Sequence, residues 1–339
     1  MAETQSSVRE VIPDIGGSFT LDQGVIDELP SGSRVLEASS FGSSAWTRTA
    51  RIKVQLSDGS SKQYFVKFAT EGGDVMMEGE FNSMTELHKL APSFVPRPYA
   101  WGKFHSAGPV THFFLCDFLD MENEMPDPVA FCARLAEIHL NSQSPTGQFG
   151  FPVPNCHGKI VQSNEWDPSW TSFFTKLLVS FFKIELGING PWPEYEQAFE
   201  LIVKTVVPQL LDPLQDNGRV LKPSLVHGDL WEENAAINLS TGEPVVFDAS
   251  AFYAHNEYEL GTWRRQTIKF GRSHFNQYLR NIPPSEPVEQ WDDRVRLYSL
   301  KFNLAHMIGW PGAPFVREEI YNDMMYLIQK YPDRATRPA

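Results

Sequence analysis

Cysteines, basic residues and long apolar runs are all scarce in this chain of 339 residues. Its three cysteines, Cys116, Cys132 and Cys156, form no Cys-x-x-C pair, so neither a disulfide framework nor a zinc site is expected. The formal net charge of −13 argues against nucleic-acid binding, because phosphate contacts need clustered Lys and Arg. Since the sequence shows no apolar run of about 18 residues and no secretory signal, we expect no membrane span and a cytoplasmic location.

The pattern of polar and apolar residues divides the chain into a β-rich first part and a mainly helical second part. Residues 34–68 alternate polar and apolar positions around an Asp-Gly turn, which predicts antiparallel strands. Residues 76–90 place apolar side chains at three-residue intervals and predict a helix, and 112–119 reads as a short buried strand. Further helices are predicted at 128–141, 170–186, 194–211, 258–278, 288–310 and 316–329. We predict an N-terminal helical extension at 1–30, an N-lobe at 31–119 and a C-lobe at 120–339.

Two short strands, predicted at 224–226 and 244–247, flank a loop whose side chains suit phosphate chemistry. The loop carries His227, Asp229 and, five residues later, Asn234, and Asp248 ends the second strand. The base and the metal-binding Asn of kinase catalytic loops have the same five-residue separation. We therefore predict Asp229 as the base and His227 as the residue that orients the loop. Asn234 and Asp248 are predicted as Mg²⁺ ligands, because Mg²⁺ prefers hard oxygen atoms. The alternative is a turn whose Asp and Asn side chains bind only their own backbone.

A partner for the phosphates is predicted in the β-rich part. Lys67 lies on a predicted strand and Glu80 on the helix that follows it. In kinases, a Lys–Glu ion pair on these two elements positions the lysine on the nucleotide phosphates. Glu78 competes with Glu80 for this role, and a solvent-exposed lysine is the alternative for Lys67.

Two further segments are predicted to complete a nucleotide site. The small-residue loop 39–45, with Gly42 and Ser43, is expected to cover the phosphates of ATP, although it contains one glycine and departs from a Gly-x-Gly-x-x-Gly pattern. The backbone from Asp117 to Leu119 is expected to meet the adenine ring. Together these features predict a two-lobed, protein-kinase-like α+β fold, with a small antiparallel β N-lobe and a larger, mainly helical C-lobe.

The motifs His227-Gly-Asp-Leu-Trp-Glu-Glu-Asn234 and 246–260 resemble those of the fructosamine kinase (ketosamine-3-kinase) family. This family belongs with the aminoglycoside-phosphotransferase-like kinases. Tyr64-Phe-Val-Lys67 and Asn164-Glu-Trp166 agree as well, whereas the Asp-Pro-Ala that is frequent in the family is Asp248-Ala-Ser250 in this chain. The resemblance implies an ATP- and Mg²⁺-dependent kinase that phosphorylates the 3-hydroxyl of a ketosamine. Its partner would then be a glycated amine or a glycated protein, with the preferred sugar and the oligomeric state left open.

The resemblance also suggests residues for the acceptor. Trp231 is expected to offer an apolar face to the sugar, with packing beneath the loop as the alternative. His255, Glu257 and Glu259 follow Asp248 and are further candidates for the substrate site, where an acid is expected to pair with the protonated amine of the substrate. The alternative is that these residues fix the loop or the start of a helix. A related small-molecule kinase that acts on another hydroxyl is the second functional hypothesis, and a non-catalytic binding protein is the third.

Overall fold

A computed structural model describes residues 20–42, 44–312 and 314–333 of the chain. Five strands form one antiparallel sheet in the spatial order β1-β2-β3-β5-β4. They are β1 (Arg34–Ser40), β2 (Arg48–Gln55), β3 (Ser61–Ala69), β4 (Pro98–Lys103) and β5 (His112–Asp117). Helix α1 (Gln23–Asp27) lies against β4, and α2 (Gly73–Leu90) lies against β4 and β5. The strands predicted at 34–68 and the helix predicted at 76–90 are thereby confirmed.

The alternation of side chains along β3 assigns its residues to two apolar cores. Tyr64 and Val66 are buried in a core that one face of the sheet forms with α1. Since neighbouring residues of a strand point to opposite faces, Lys67 lies on the other face. The core on that face includes Met77 of α2 and Phe114 of β5, and it continues into the second half of the chain. The sequence of β3 therefore directs Lys67 toward the junction of the two halves.

The second half of the chain is mainly helical, with short strand pairs between the helices. Its helices are α3 (Pro128–Asn141), α4 (Trp170–Asn189), α5 (Pro193–Leu201), α6 (Val207–Leu211), α7 (Arg272–Asn281), α8 (Trp291–Gly309) and α9 (Pro314–Lys330). Its strands are β6 (Met121–Glu122), β7 (Cys156–His157), β8 (Ile160–Val161), β9 (Ser224–Val226), β10 (Ala235–Asn238), β11 (Pro244–Val246) and β12 (Phe252–Ala254). Strand β9 pairs with β12, and β10 pairs with β11 and β6. Within the described ranges, no helix is long and apolar enough to cross a bilayer.

Local sequence explains where some of these helices begin and break. Asp127 caps α3 by accepting hydrogen bonds from the backbone N–H groups of Val129 and Ala130, and Pro128 takes the first helical position. The helix predicted at 194–211 is divided by a π-helical turn at Ile202–Val206. Such a turn admits Pro208, which has no N–H group to donate inside an α-helix. The prediction of a helix at 128–141 is confirmed.

The long helix predicted at 258–278 is wrong. The segment Asn256–Arg264 forms 3₁₀ turns, an irregular stretch follows, and α7 begins only at Arg272. A Cβ atom at Gly261 would lie 2.9 Å from backbone and side-chain atoms of Tyr298, so this segment packs closely against α8. Its residues from Glu257 to Trp263 are all buried. A segment that is buried on every side shows no stripe of helical period, and its sequence therefore does not specify the type of helix.

Candidate active site

A lysine and two carboxylates form a cluster where the two halves of the chain meet. The Nζ atom of Lys67 lies 2.8 and 2.9 Å from the two carboxylate oxygens of Glu80, and 2.6 Å from Oδ1 of Asp248. Burial by itself would lower the pKa of Lys67, but Asp248 and Glu80 outweigh it and raise that pKa, so the lysine is charged. Burial raises the pKa of Glu80 to about 7, against the opposing effect of the ammonium. Of the two competing acids on α2, the structure places Glu80 on Lys67.

The loop between β9 and β10 brings Asp229 and Asn234 close to Asp248. The amide nitrogen of Asn234 donates to the backbone oxygen of Asp229 at 2.8 Å and to its Oδ2 at 3.3 Å. These three residues line the same cavity as Lys67, with a volume of about 110 Å³. Asp248 has a backbone φ of +60°, a left-handed conformation that Asp tolerates better than most residues do. The side-chain oxygens of Asp229, Asn234 and Asp248 and the ammonium of Lys67 therefore face a single small space.

The backbone at the start of this loop is fixed by a buried acid. Gly228 has a φ of +81°, and a Cβ atom there would lie 2.2 Å from the backbone oxygen of Ser250, so the position requires glycine. The N–H groups of His227 and Gly228 both donate to the carboxylate of Glu259, which is fully buried. The Nε2 atom of His227 lies 2.9 Å from the backbone oxygen of Phe247, at the end of β11. His227 thus links the loop to the strand that precedes Asp248.

The oxygen atoms of the small cavity suit a magnesium ion. The amide nitrogen of Asn234 is used on Asp229, which leaves its Oδ1 atom for a cation. Asp248 uses one carboxylate oxygen on Lys67 and has a second. Mg²⁺ is commonly held by one or two such protein groups together with phosphate oxygens and water. Burial, and then the nearby Asp248, raise the pKa of Asp229 to about 7, an effect that a divalent cation beside the two carboxylates would reduce.

The loop between β1 and β2 covers the small cavity. Ser44, Trp46 and Thr47 line it, whereas Gly42, with a φ of +75°, does not. The predicted contact of Ser43 lies outside the described residues. At the predicted adenine contact, the side chain of Asp117 binds Tyr99 and Lys62, while the backbone of Asp117 and Leu119 connects the two halves of the chain. The adenine contact therefore stays a prediction about backbone atoms.

A second cavity, of about 740 Å³, adjoins the first. Trp46, Asp229 and Trp231 line both cavities, and Phe302 and Trp310 add apolar walls to the larger one. The ring centres of Trp46 and Trp310 are 6.0 Å apart, so the β-rich and helical halves meet above this space. Asp229 lies where a molecule in the larger cavity would meet one in the smaller cavity.

Asp229 is surrounded by charged groups that were not predicted as site residues from the sequence. Lys301 on α8 is fully buried, and its Nζ atom lies 3.1 Å from Nδ1 of His157, whose Nε2 lies 3.5 Å from Oδ1 of Asp229. Burial lowers the pKa of Lys301 to about 7, although Asp229 and Glu259 oppose that effect. Arg265 and Glu233 line the larger cavity. Of these, only Glu233 belongs to a sequence motif. The others come from distant segments and follow no spacing that a single sequence reveals.

The structure does not bring His255 and Glu257 to either cavity. His255 is fully buried, with its ring nitrogens 2.8 and 2.9 Å from the hydroxyls of Tyr298 and Ser285. Glu257 is buried in an ion pair with Arg294 and also accepts a hydrogen bond from the backbone of Ser285. Their polar atoms are used inside the protein, which favours the alternative that these residues fix the local fold.

These elements define a two-lobed, protein-kinase-like phosphotransferase architecture, and solved structures agree with it. The crystal structure of a candidate fructosamine-3-kinase from Thermobifida fusca aligns with a TM-score of 0.68 at 21% identity, covering 88% of this chain and 96% of that one. The aminoglycoside phosphotransferase APH(4)-Ia, in a ternary complex with AMP-PNP and hygromycin B, aligns with a TM-score of 0.58 at 14% identity, covering 87% and 94%. At these identities the likeness shows the fold, and the predicted fold class is confirmed.

Sequence comparison identifies the family. A family model described as fructosamine kinase matches residues 36–319. A chloroplastic protein-ribulosamine 3-kinase of Arabidopsis thaliana is 30% identical over 237 residues, which cover 69% of this chain and 68% of the relative. The chain spans about two thirds of the length of the plant relatives it matches. It belongs to the fructosamine kinase family, and the resemblance seen in its motifs is confirmed.

Proposed function

We propose that this protein is an ATP- and Mg²⁺-dependent ketosamine 3-kinase, which phosphorylates the 3-hydroxyl of ribulosamine or fructosamine adducts of amines. Membership of the family, and the relative named protein-ribulosamine 3-kinase, support the substrate class. The observation that carries the proposal is the position of Asp229, which lines both cavities. A hydroxyl held in the larger cavity and a γ-phosphate held in the smaller one would therefore meet beside this carboxylate.

The residues of the small cavity bind the nucleotide in this proposal. Lys67, held by Glu80, contacts the phosphates that are not transferred, and the loop between β1 and β2 covers them through Ser44 and Thr47. Asn234 and Asp248 hold Mg²⁺, which neutralises phosphate charge. The phosphate-loop and adenine contacts rest on the kinase-like fold and are part of the proposal.

Asp229 accepts a hydrogen bond from the 3-hydroxyl and orients its oxygen toward the γ-phosphorus. The bond from that oxygen to phosphorus forms while the bond to the bridging oxygen of ADP breaks, and the hydroxyl proton passes to Asp229. Because the transition state of phosphoryl transfer is loose, orientation and charge neutralisation contribute more than proton removal. His227 holds the loop, and Trp231 offers its ring to the sugar from the wall of the larger cavity.

A coupled assay of ADP release with a synthetic ribulosamine and a fructosamine tests the proposal. We expect ADP release that requires Mg²⁺ and equals the amount of 3-phosphorylated product measured by mass spectrometry. Folded protein without turnover above background would contradict the proposal. Turnover of an amino sugar or a choline-like alcohol instead of both ketosamines would favour the second hypothesis, a related small-molecule kinase.

A further inference from the structure

Arg265 brings a positive charge to the larger cavity without an ion-pair partner in the described part of the chain. Its side chain is half-buried and lines the cavity together with Asp229. The Nε atom donates to the hydroxyl of Thr267 at 3.2 Å, and none of the ion pairs among the described residues includes the guanidinium. The neighbouring Arg264, by contrast, is paired with Asp292. One of two adjacent arginines is therefore neutralised, and the other presents its charge to the cavity.

The position of Arg265 matters because the cavity also holds the proposed catalytic base. The charge of Arg265 is close enough to Asp229 to oppose the rise in the pKa of Asp229 that burial and Asp248 cause. Burial lowers the pKa of Arg265, and Asp229, followed by Glu232 and Glu319, opposes that effect. None of these three carboxylates forms an ion pair with Arg265. In a chain of net charge −13, with a carboxylate at the point of reaction, such a cation favours the approach of a negatively charged acceptor.

The residues that line the larger cavity indicate which class of anion it would bind. Apolar and aromatic walls, among them Trp231, Phe302 and Trp310, surround a space of about 740 Å³, which is the size that encloses a small metabolite. A guanidinium presents a planar fork of donors that matches the two oxygens of a carboxylate. Glu233 on the same cavity suits a neighbouring ammonium. A molecule with a sugar, an ammonium and a carboxylate in sequence fits these groups.

We propose that Arg265 binds a carboxylate of the acceptor, so that the larger cavity selects ketosamines of free α-amino acids over those of protein lysine side chains. This inference rests on the proposed ketosamine kinase function. In such an adduct, the 3-oxygen and the carboxylate are separated only by C3, C2 and C1 of the sugar, the amine nitrogen and one carbon. Both ends therefore fit in one cavity, with the 3-oxygen at Asp229 and the carboxylate at Arg265. A glycated lysine side chain has no carboxylate at that position.

A matched pair of acceptors tests this assignment with the full-length protein and MgATP. Ribulosyl-glycine carries the carboxylate, and ribulosyl-glycinamide has nearly the same shape without the charge. Because a hydrogen bond to a charged group contributes about 10- to 100-fold in affinity, we expect kcat/KM for the glycine adduct to exceed that for the amide by about that factor. In Arg265→Met the preference should disappear while the KM for ATP stays unchanged. Arg265→Lys should restore part of it, and Arg264→Met, the matched control, should retain all of it.

The possible results distinguish failure of the carboxylate site from failure of the kinase function. If both acceptors react equally in the unaltered protein, or if Arg265→Met keeps the preference, the carboxylate site is refuted and the kinase function stands. An equal loss of kcat for both acceptors in Arg265→Met would place Arg265 on the transferred phosphate and would also refute the site. If neither acceptor reacts, the kinase function fails, and calorimetry with the same pair decides the site. The carboxylate site would be supported if the glycine adduct binds more tightly than the glycinamide adduct and if Arg265→Met abolishes this difference. Equal binding of the two adducts, or no binding of either, would overturn the site.

Discussion

Asp229 is a carboxylate in surroundings that disfavour its negative charge. Burial, and then the neighbouring Asp248, raise its pKa to about 7, and Lys301 and Arg265 limit that rise. A general base with a pKa near the operating pH can both accept a proton and release it. In the proposed mechanism, the buried Lys301, which contacts His157 beside Asp229, therefore helps Asp229 to act as a base at neutral pH.

The substitution Asp229→Asn tests the role of this residue. Asparagine has nearly the same shape and can still accept the hydrogen bond from Asn234, so the fold and ATP binding should persist. We expect kcat with a ketosamine to fall by about 10²- to 10⁴-fold, the usual contribution of a positioned base. Asp216→Asn, which removes an exposed carboxylate that lines neither cavity, serves as the control and should leave kcat unchanged. A variant at Asp229 with a nearly unaltered kcat would refute the assignment.

For single residues, what could be predicted from the sequence depends on where the interaction partners of each residue lie along the chain. The proximity of Asp229 and Asn234 was predictable because the two residues are five positions apart within one loop. Arg265 and Lys301 were not, because each reaches Asp229 from another segment and only the tertiary fold brings them together. His255 was misleading for a related reason, since a polar residue near a motif can equally bind the interior, as this one binds Tyr298.

The loop between β9 and β10 is an element whose shape depends on a close backbone contact at Gly228. Gly228 combines a φ of +81° with a Cβ position only 2.2 Å from the backbone oxygen of Ser250. The adjacent N–H groups of His227 and Gly228 bind Glu259, which comes from a segment about 30 residues later. A displacement of Gly228 would therefore break two hydrogen bonds to a buried acid and move Asp229.

Gly228→Ala should reveal this dependence when compared with Gly218→Ala. Gly218 has almost the same φ, +79°, but no atom lies within 4 Å of a Cβ atom there, so its substitution measures the backbone conformation alone. Urea unfolding should show a cost of about 1–2 kcal/mol for Gly218→Ala and a larger cost for Gly228→Ala. Only Gly228→Ala should lose kcat. Equal stability costs and equal activity would mean that the loop relaxes around the added methyl group.

The elements also show where sequence patterns fail. The amphipathic α2 and the capped α3 were predictable because an apolar stripe or a local cap defines each one. Residues 258–264 were predicted as the start of a long helix, but the segment Asn256–Arg264 carries buried residues on all sides. Its close packing on α8, and the hydrogen bonds that Glu259 makes to another loop, depend on contacts that are remote in sequence.

In the whole molecule, one apolar core joins the face of the sheet that carries Lys67 to the helical half, and the small cavity lies at that junction. Lys67 comes from the sheet, whereas Asp229, Asn234 and Asp248 come from the helical half. The contact of Lys67 with Asp248 therefore links the two halves directly. A nucleotide phosphate with Mg²⁺ would insert into this link, so its binding should be visible in the stability of the entire protein.

Binding of MgATP should raise the free energy of unfolding, by about 2.7 kcal/mol at a nucleotide concentration one hundred times the dissociation constant. Thermal unfolding with ATP and Mg²⁺, and with ATP and EDTA, separates the part that needs the metal. In Asp248→Asn, which preserves the left-handed backbone that asparagine also tolerates, the metal-dependent part should be lost. Asp216→Asn should behave like the unaltered protein. If Asp248→Asn kept the full Mg²⁺-dependent increase, the metal would be held by other groups, and Asp248 would act mainly as the partner of Lys67.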